Sequence, residues 1–223
     1  MPSKAKQREA ELALHHAIGR CDIAEVSALL KRNVDPNCLG QRFPKFPYAF
    51  TALCAAIRVA ADAVSPTQAE IDSALDDAGK ELGLARVPEP FDKATARARS
   101  LQIIQMLLSA GADPNRRGAS RTPLSLAAGR YGDIELARLL LDAGAHPDSA
   151  GWSLDGRKFY CTAIHEAAGK GFTDVVALLR EKGADTKVPD WLDHETPLQV
   201  ARRRGHPATV RLLEQYEAPK SSR

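Results

Sequence analysis

An all-α solenoid, built from helix pairs stacked side by side, is the fold class this sequence predicts, and three observations predict it. The first is a phrase repeated at the start of short apolar stretches: Thr51-Ala52-Leu53-Cys54, Thr122-Pro123-Leu124-Ser125, Thr162-Ala163-Ile164-His165 and Thr196-Pro197-Leu198-Gln199, with a degenerate copy at Leu14-His15. The second is a turn phrase that follows most of them: Val34-Asp35-Pro36-Asn37, Gly111-Ala112-Asp113-Pro114-Asn115, Gly144-Ala145-His146-Pro147-Asp148 and Gly183-Ala184-Asp185. The third is composition: 44% hydrophobic residues with only 5% aromatics predicts a core of Leu, Ala, Ile and Val, as helical layers have. Self-similarity at such a period means identical supersecondary units in a stack, so function belongs on a repeated face rather than in a pocket.

Each element of the unit has a physical reason. Ala17, Ala56, Ala127, Ala167 and Ala201 share one position in the first helix, where a small side chain lets two antiparallel helices approach closely. Leu29, Leu107, Leu140, Leu179 and Leu213 share a column in the second helix, and Ala28, Met106, Leu139, Leu178 and Leu212 share the column before it. Both columns are expected to form a continuous apolar ladder between neighbouring units. Truncating a leucine in that ladder to alanine should cost ~2–5 kcal/mol. Gly111, Gly144 and Gly183 stand where the second helix must stop in the left-handed conformation, and Asn33 takes that place in the first unit. Proline after threonine suits the first helical position, and the threonine hydroxyl can cap the helix.

With the T-P-L-H-x-A-A, L-L and G-A-D elements standing as quoted, the chain resembles the ankyrin-repeat family. The resemblance implies one repeat domain over residues 11–217, with repeats at about 11–39, 50–117, 121–149, 161–189 and 195–217. Residues 1–10 are expected to form a flexible or helical extension and 218–223 a disordered tail. The resemblance also implies β-hairpin fingers between helix pairs and a concave face made of fingers and first helices. There are departures: the first repeat lacks Thr-Pro, the third carries one extra residue near Gly129-Arg130, and the last ends without Gly-Ala-Asp. The first and last fit terminal caps with a wetter outer side.

Three insertions break the period. About 40 extra residues, from roughly Ala60 to Ser100, divide the two helices of repeat 2. Ser65-Pro66-Thr67-Gln68 reads as a capping box with proline at the first helical position. Ile71, Leu75, Ala78 and Leu82 then form an apolar stripe beside acidic Glu70, Asp72, Asp76 and Asp77. Pro88 and Pro90 interrupt the chain before Asp92 caps a long helix leading into Leu101. An added helical hairpin packed on the stack and a dedicated contact surface are both open readings. The other two insertions lengthen the fingers at Cys38–Phe50 and Ser149–Tyr160, each by about six residues over the family pattern.

Candidate binding residues follow from these features. Phe43, Phe46, Tyr48, Trp152, Phe159 and Tyr160 lie in the lengthened fingers and Trp191 in the next one. Aromatics in loops outside the repeat core bury large area at low entropic cost, the composition of a protein-binding hot spot; packing against one another to stiffen the fingers is the competing role. Arg20, Arg130, Lys170 and Arg204 end the first helices in register, with Arg58 and Arg203 adjacent. By the family resemblance this column faces the concave side. Together with Arg42, Lys45, Arg157 and Lys158 on the fingers it would attract an acidic partner surface and speed encounter, whereas solvated charge aiding solubility is the plainer account.

Other chemistries find little footing. A net charge of +3 is too mild to imply nucleic acid, which is carried only as a lesser alternative through the basic stripe. The four cysteines have no metal spacing and read as free thiols in a reducing compartment. His15 and His165 fall in the H of the threonine phrase, where hydrogen bonding to backbone is the expected role. Asp190, Asp193, His194 and Glu195 read as a solvated acidic finger. No phosphate loop, nucleophile elbow or H-E-x-x-H helix is present, and the insertion's Glu70, Asp72, Asp76, Asp77 and Glu81 lack an accompanying His, Cys or Ser constellation. No run of 18 apolar residues occurs, and no apolar signal core follows Met1–Arg8. The expectation is a cytoplasmic, monomeric, non-enzymatic module without cofactor, metal, small-molecule substrate or membrane, whose partner is another protein with an acidic surface. Inhibition by occlusion, as by an immunity protein, and a role as adaptor, scaffold or secreted effector joining two proteins are the alternatives it leaves.

Overall fold

The structure, a computed structural model, describes residues 4–40, 51–62, 92–117, 121–150, 161–190 and 193–217. Its contacts divide the chain into two compact units, Met1–Ala119 and Ser120–Arg223.

The first unit holds α1 (Lys4–Gly19), α2 (Ile23–Lys31), α3 (Ala52–Asp62) and α4 (Lys93–Ser109). Within each pair α1 packs on α2 and α3 on α4; between pairs α1 packs on α3 and α2 on α4, giving two helical layers. The second unit holds a π-helical segment (Ser125–Arg130), α5 (Ile134–Asp142), α6 (Ala163–Lys170), α7 (Thr173–Glu181), α8 (Pro197–Arg204) and α9 (Pro207–Glu217). The same layering recurs there, with the π segment, α6 and α8 in one layer and α5, α7 and α9 in the other. This is a helical repeat fold.

The alanine column is wholly buried, as is the leucine column from Leu29 to Leu213. The column before the leucines departs from the expectation: Ala28 is exposed, Met106, Leu139 and Leu212 are half-buried, and only Leu178 is buried. The second helices bury instead the positions three and four residues before the leucine, as at Ile103 and Ile104, Leu136 and Ala137, Val175 and Val176. Such i, i+3, i+4 spacing points one stripe inward and leaves the intervening column at its edge.

Turn chemistry fixes where helices stop. Gly111, Gly144 and Gly183 have φ of 91°, 91° and 95°, and Asn33 has φ 59°. In each turn phrase the Asp or His accepts the backbone N–H two residues on: Asp35 from Asn37, Asp113 from Asn115 and Asp185 from Lys187, each at 2.8 Å, and His146 Nδ1 from Asp148 at 3.2 Å. In two of the phrases the last residue reaches the next pair. Asn37 Oδ1 accepts from Asp113 N at 2.7 Å and its amide donates to Gly111 O at 3.0 Å, while Asp148 Oδ1 accepts from Asp185 N at 2.9 Å. The repeated phrase is thus both a self-closed turn and a clamp on its neighbour.

Three threonines cap as expected: Thr51 accepts from Cys54 N, Thr122 from Ser125 N and Thr196 from Gln199 N, the last in a full capping box. Thr162 does not cap. Its hydroxyl lies 2.9 Å from His165 Nδ1 and is committed to the ring.

The extra residue of the third pair has a clear structural outcome. Three first helices close with a bond from a backbone N–H to the alanine-column carbonyl five residues before it: Asp22 to Ala17, Phe172 to Ala167 and His206 to Ala201. In the third pair Asp133 makes that bond to Ala127, across one more residue, and the segment Ser125–Arg130 widens to π-helix to absorb it.

Antiparallel bridges join Leu39 to Thr51 and Ala150 to Thr162, pairing the two ends of each lengthened finger. The fingers themselves, and the insertion's capping box, apolar stripe and acidic face, lie outside the described residues. Only the ends of the insertion are described, and both are helical. α3 runs to 11 residues and α4 to 17, against 8 for α6 and 9 for α5, so they exceed those two helices by about one and two turns. Asp92 caps α4 by accepting from Thr95 N at 2.7 Å, and Arg97 donates to Ala60 O at 3.3 Å near the end of α3.

Candidate functional site

The basic column sits where helix physics favours it. Arg130, Lys170 and Arg204 lie in the last turn of their first helices, and a cation there offsets the negative end of the helix dipole. What distinguishes the members is how each charge is used. Arg20 pairs with Glu25 and is taken up within the first unit. Arg58, half-buried on α3, is also engaged. Arg203, adjacent to the column, grips Glu195 through Nε at 2.7 and 2.9 Å and Asp193 through Nη2 at 3.1 Å. Those two acids are therefore not simply solvated. Asp190 is buried, its Oδ1 accepting from Asp193 N at 2.9 Å and Glu195 N at 3.3 Å. Asp190, Asp193 and Glu195 are thus all engaged in hydrogen bonds.

In the second unit the column is tied together. Lys170 Nζ donates to Arg130 O at 2.6 Å and lies 5.8 Å from the Phe172 ring centroid. The Arg130 guanidinium sits 5.9 Å from the Tyr131 ring. Arg121 pairs with Glu166, which packs where a Gly129 side chain would be. Burial, then the nearby Arg130 charge, lower the Lys170 ammonium from its ordinary value, with Glu166 pulling the other way. Neither Arg130 nor Arg204 has a carboxylate partner among the described residues.

Of the remaining expected site residues, Arg42, Phe43, Phe46, Tyr48, Trp152, Arg157, Lys158, Phe159, Tyr160 and Trp191 lie outside the described residues. Sequence reasoning missed Arg121, Glu166, Tyr131 and Phe172 around the column. The one-residue excess before Gly132 was the available signal for Tyr131; nothing in the pattern marked the Arg121–Glu166 pair, whose members belong to different helix pairs.

Two histidines and three cysteines are used structurally. His165 is held at both nitrogens, by the Thr162 hydroxyl and by Val188 O at 3.0 Å, and burial lowers its pKa. His206 reaches Gly169 O at 3.0 Å and closes the end of α6. Burial raises the Cys21 thiol and pushes Cys38 and Cys161 up to about 12, so these three stay protonated and non-nucleophilic at neutral pH. Among the described residues no group of three or more His, Cys, Asp or Glu side chains could hold a metal. No described helix is long and apolar enough to cross a membrane.

The ankyrin-repeat family model matches residues 120–152 and 159–191, which are the third and fourth helix pairs with their fingers. The chain carries ankyrin repeats at these two positions. Ankyrin repeats are in general protein–protein interaction modules, and in this one the first-helix ends of the matched repeats carry Arg130 and Lys170. No curated protein matches the chain.

Proposed function

We propose that this ankyrin protein is a non-enzymatic binding module of five repeats that grips an acidic surface of a partner protein. The concave face, the aromatic fingers (Phe43, Phe46, Tyr48, Trp152, Phe159, Tyr160 and Trp191) and the basic residues (Arg20, Arg42, Arg58, Arg130, Arg157, Lys158, Lys170 and Arg204) make the contact. It acts as a monomer in the cytoplasm, occluding its partner as an inhibitor does. The observation that supports this best is the pair of guanidiniums, Arg130 and Arg204, left without carboxylates among the described residues at first-helix ends, in an ankyrin scaffold whose His165 and Cys38 are spent on folding. In such an interface the aromatic residues anchor a desolvated centre and the cations form a polar rim.

The test is affinity capture from lysate of the source cells with tagged wild type and a Trp152→Ala/Tyr160→Ala variant, read by quantitative mass spectrometry. A specific protein captured by wild type and depleted at least about tenfold with the variant is expected, since losing hot-spot aromatics costs 2 kcal/mol or more. Equal capture by both proteins removes the fingers from the interface.

A further inference from the structure

We propose that Arg130, Lys170 and Arg204 form a row that takes an extended acidic peptide segment with one carboxylate for each helix pair, an inference that rests on the protein-binding reading and narrows its partner. The three residues end consecutive first helices of the second unit. They are neighbours in space: Lys170 Nζ touches Arg130 O at 2.6 Å, and Arg204 Cγ approaches within 4.0 Å of where a side chain on Gly169 would begin. Cations around the row are already matched, Arg121 by Glu166, Arg202 by Glu214 and Arg203 by Glu195 and Asp193. Among the described residues the row itself forms no ion pair. Burial first, and then the like charges of Arg130 and Arg121, lower the Lys170 ammonium against the pull of Glu166, and an arriving carboxylate would favour its charged form.

Geometry sets the ligand's spacing. Packed helices lie ~8–10 Å apart, and an extended chain advances ~3.3 Å per residue, so successive cations align with about every third residue of a bound strand. Nucleic acid fits worse. Its closely spaced phosphates would meet Glu166, Glu195 and Asp193 beside the row, whereas a peptide can place neutral residues there.

The full chain, labelled with nitrogen-15, is titrated at low salt with two nonapeptides of equal charge. One carries glutamate at positions 1, 4 and 7, the other at 1, 2 and 3, with Gly and Ser elsewhere. The spaced peptide is expected to shift the amides of Gly132, Gly171 and Gly205 and to bind several-fold more tightly. The Arg130→Gln/Arg204→Gln variant should weaken it about fivefold to tenfold, as two exposed charge pairs allow, and Arg138→Gln/Arg211→Gln, the same charge change on α5 and α9, should not. Lys170 is left intact because its amine also holds the Arg130 carbonyl. Equal affinity for both peptides, equal loss in both variants, or no shift at millimolar peptide overturns the proposal. Tighter binding of a single-stranded oligonucleotide at the same amides overturns it in favour of nucleic acid. If the double variant still captures the wild-type partner from lysate, the row falls while the protein-binding reading stands.

Discussion

His15 shows how a side chain common in catalytic sites can be wholly committed to the fold. It is buried on α1, its Nε2 lies 3.4 Å from Cys38 O, and Gly40 packs against its ring. Burial lowers its pKa to about 4, with the nearby His16 and Arg8 charges acting in the same direction and the Cys38 carbonyl opposing them. The unfolded chain, with histidine near 6.5, therefore binds a proton that the folded chain refuses between about pH 6.5 and 4. In that window stability rises with pH: the contribution is complete above 6.5 and is lost progressively on acidification toward 4. Lowering the pH from 7.5 to 4.5 should cost wild type ~2–3 kcal/mol through this residue. His15→Gln keeps a donor for Cys38 O but cannot titrate, so urea midpoints at the two pH values should differ less in the variant by that amount. An undiminished pH dependence would show that other groups govern acid stability.

At the scale of elements, the turns between helices separate backbone strain from crowding. Gly144 and Gly132 both have positive φ, 91° and 67°, yet a methyl group on Gly144 meets nothing within 4 Å while one on Gly132 would lie 2.7 Å from the Phe172 ring. Gly144→Ala should therefore cost only the left-handed penalty, ~1–2 kcal/mol, and Gly132→Ala at least ~1 kcal/mol more from overpacking. Chemical denaturation of the two variants decides this, and equal losses would mean that Phe172 moves aside freely. The repeated phrases made these turns legible: glycine at the helix stop, threonine at the helix start and the alanine column all carry one physical requirement per position. Where two requirements compete, the pattern is silent. Thr162 resembles Thr122 in sequence, but His165 three residues on captures its hydroxyl. The extra residue of the third pair was visible as a count, yet only the bond from Asp133 to Ala127 shows that the helix widens rather than the loop. The basic column was legible for the same reason as the turns; which of its charges are matched was not, because Arg121–Glu166 joins different helix pairs and Arg203 meets its acids only through the folding of the turn about Asp190.

For the whole molecule, the question is how much of the chain a cooperative core requires. A repeat stack gains stability from each helix pair and from each interface between neighbours, and about three pairs are needed before the sum is favourable. The unit Ser120–Arg223 contains three, with the π segment, α6 and α8 packed successively in one layer and α5, α7 and α9 in the other. Its interior is supplied by large side chains with almost no exposure, among them Leu124, Leu136, Leu140 and Ile164. Its last pair is held by the Thr196 capping box, by the Thr173–Thr209 hydroxyl contact at 2.9 Å and by His206 on Gly169 O. A fragment spanning 120–223 is therefore expected to fold alone, with a helical circular dichroism spectrum and a single urea transition. Leu140→Ala in that fragment should lower its stability by ~2–5 kcal/mol, since the side chain is fully buried on α5 and its removal leaves a cavity the surrounding side chains close only in part. A fragment that lacks a cooperative transition, or one indifferent to Leu140→Ala, would mean that the ladder of leucines does not carry the stability of this half of the chain.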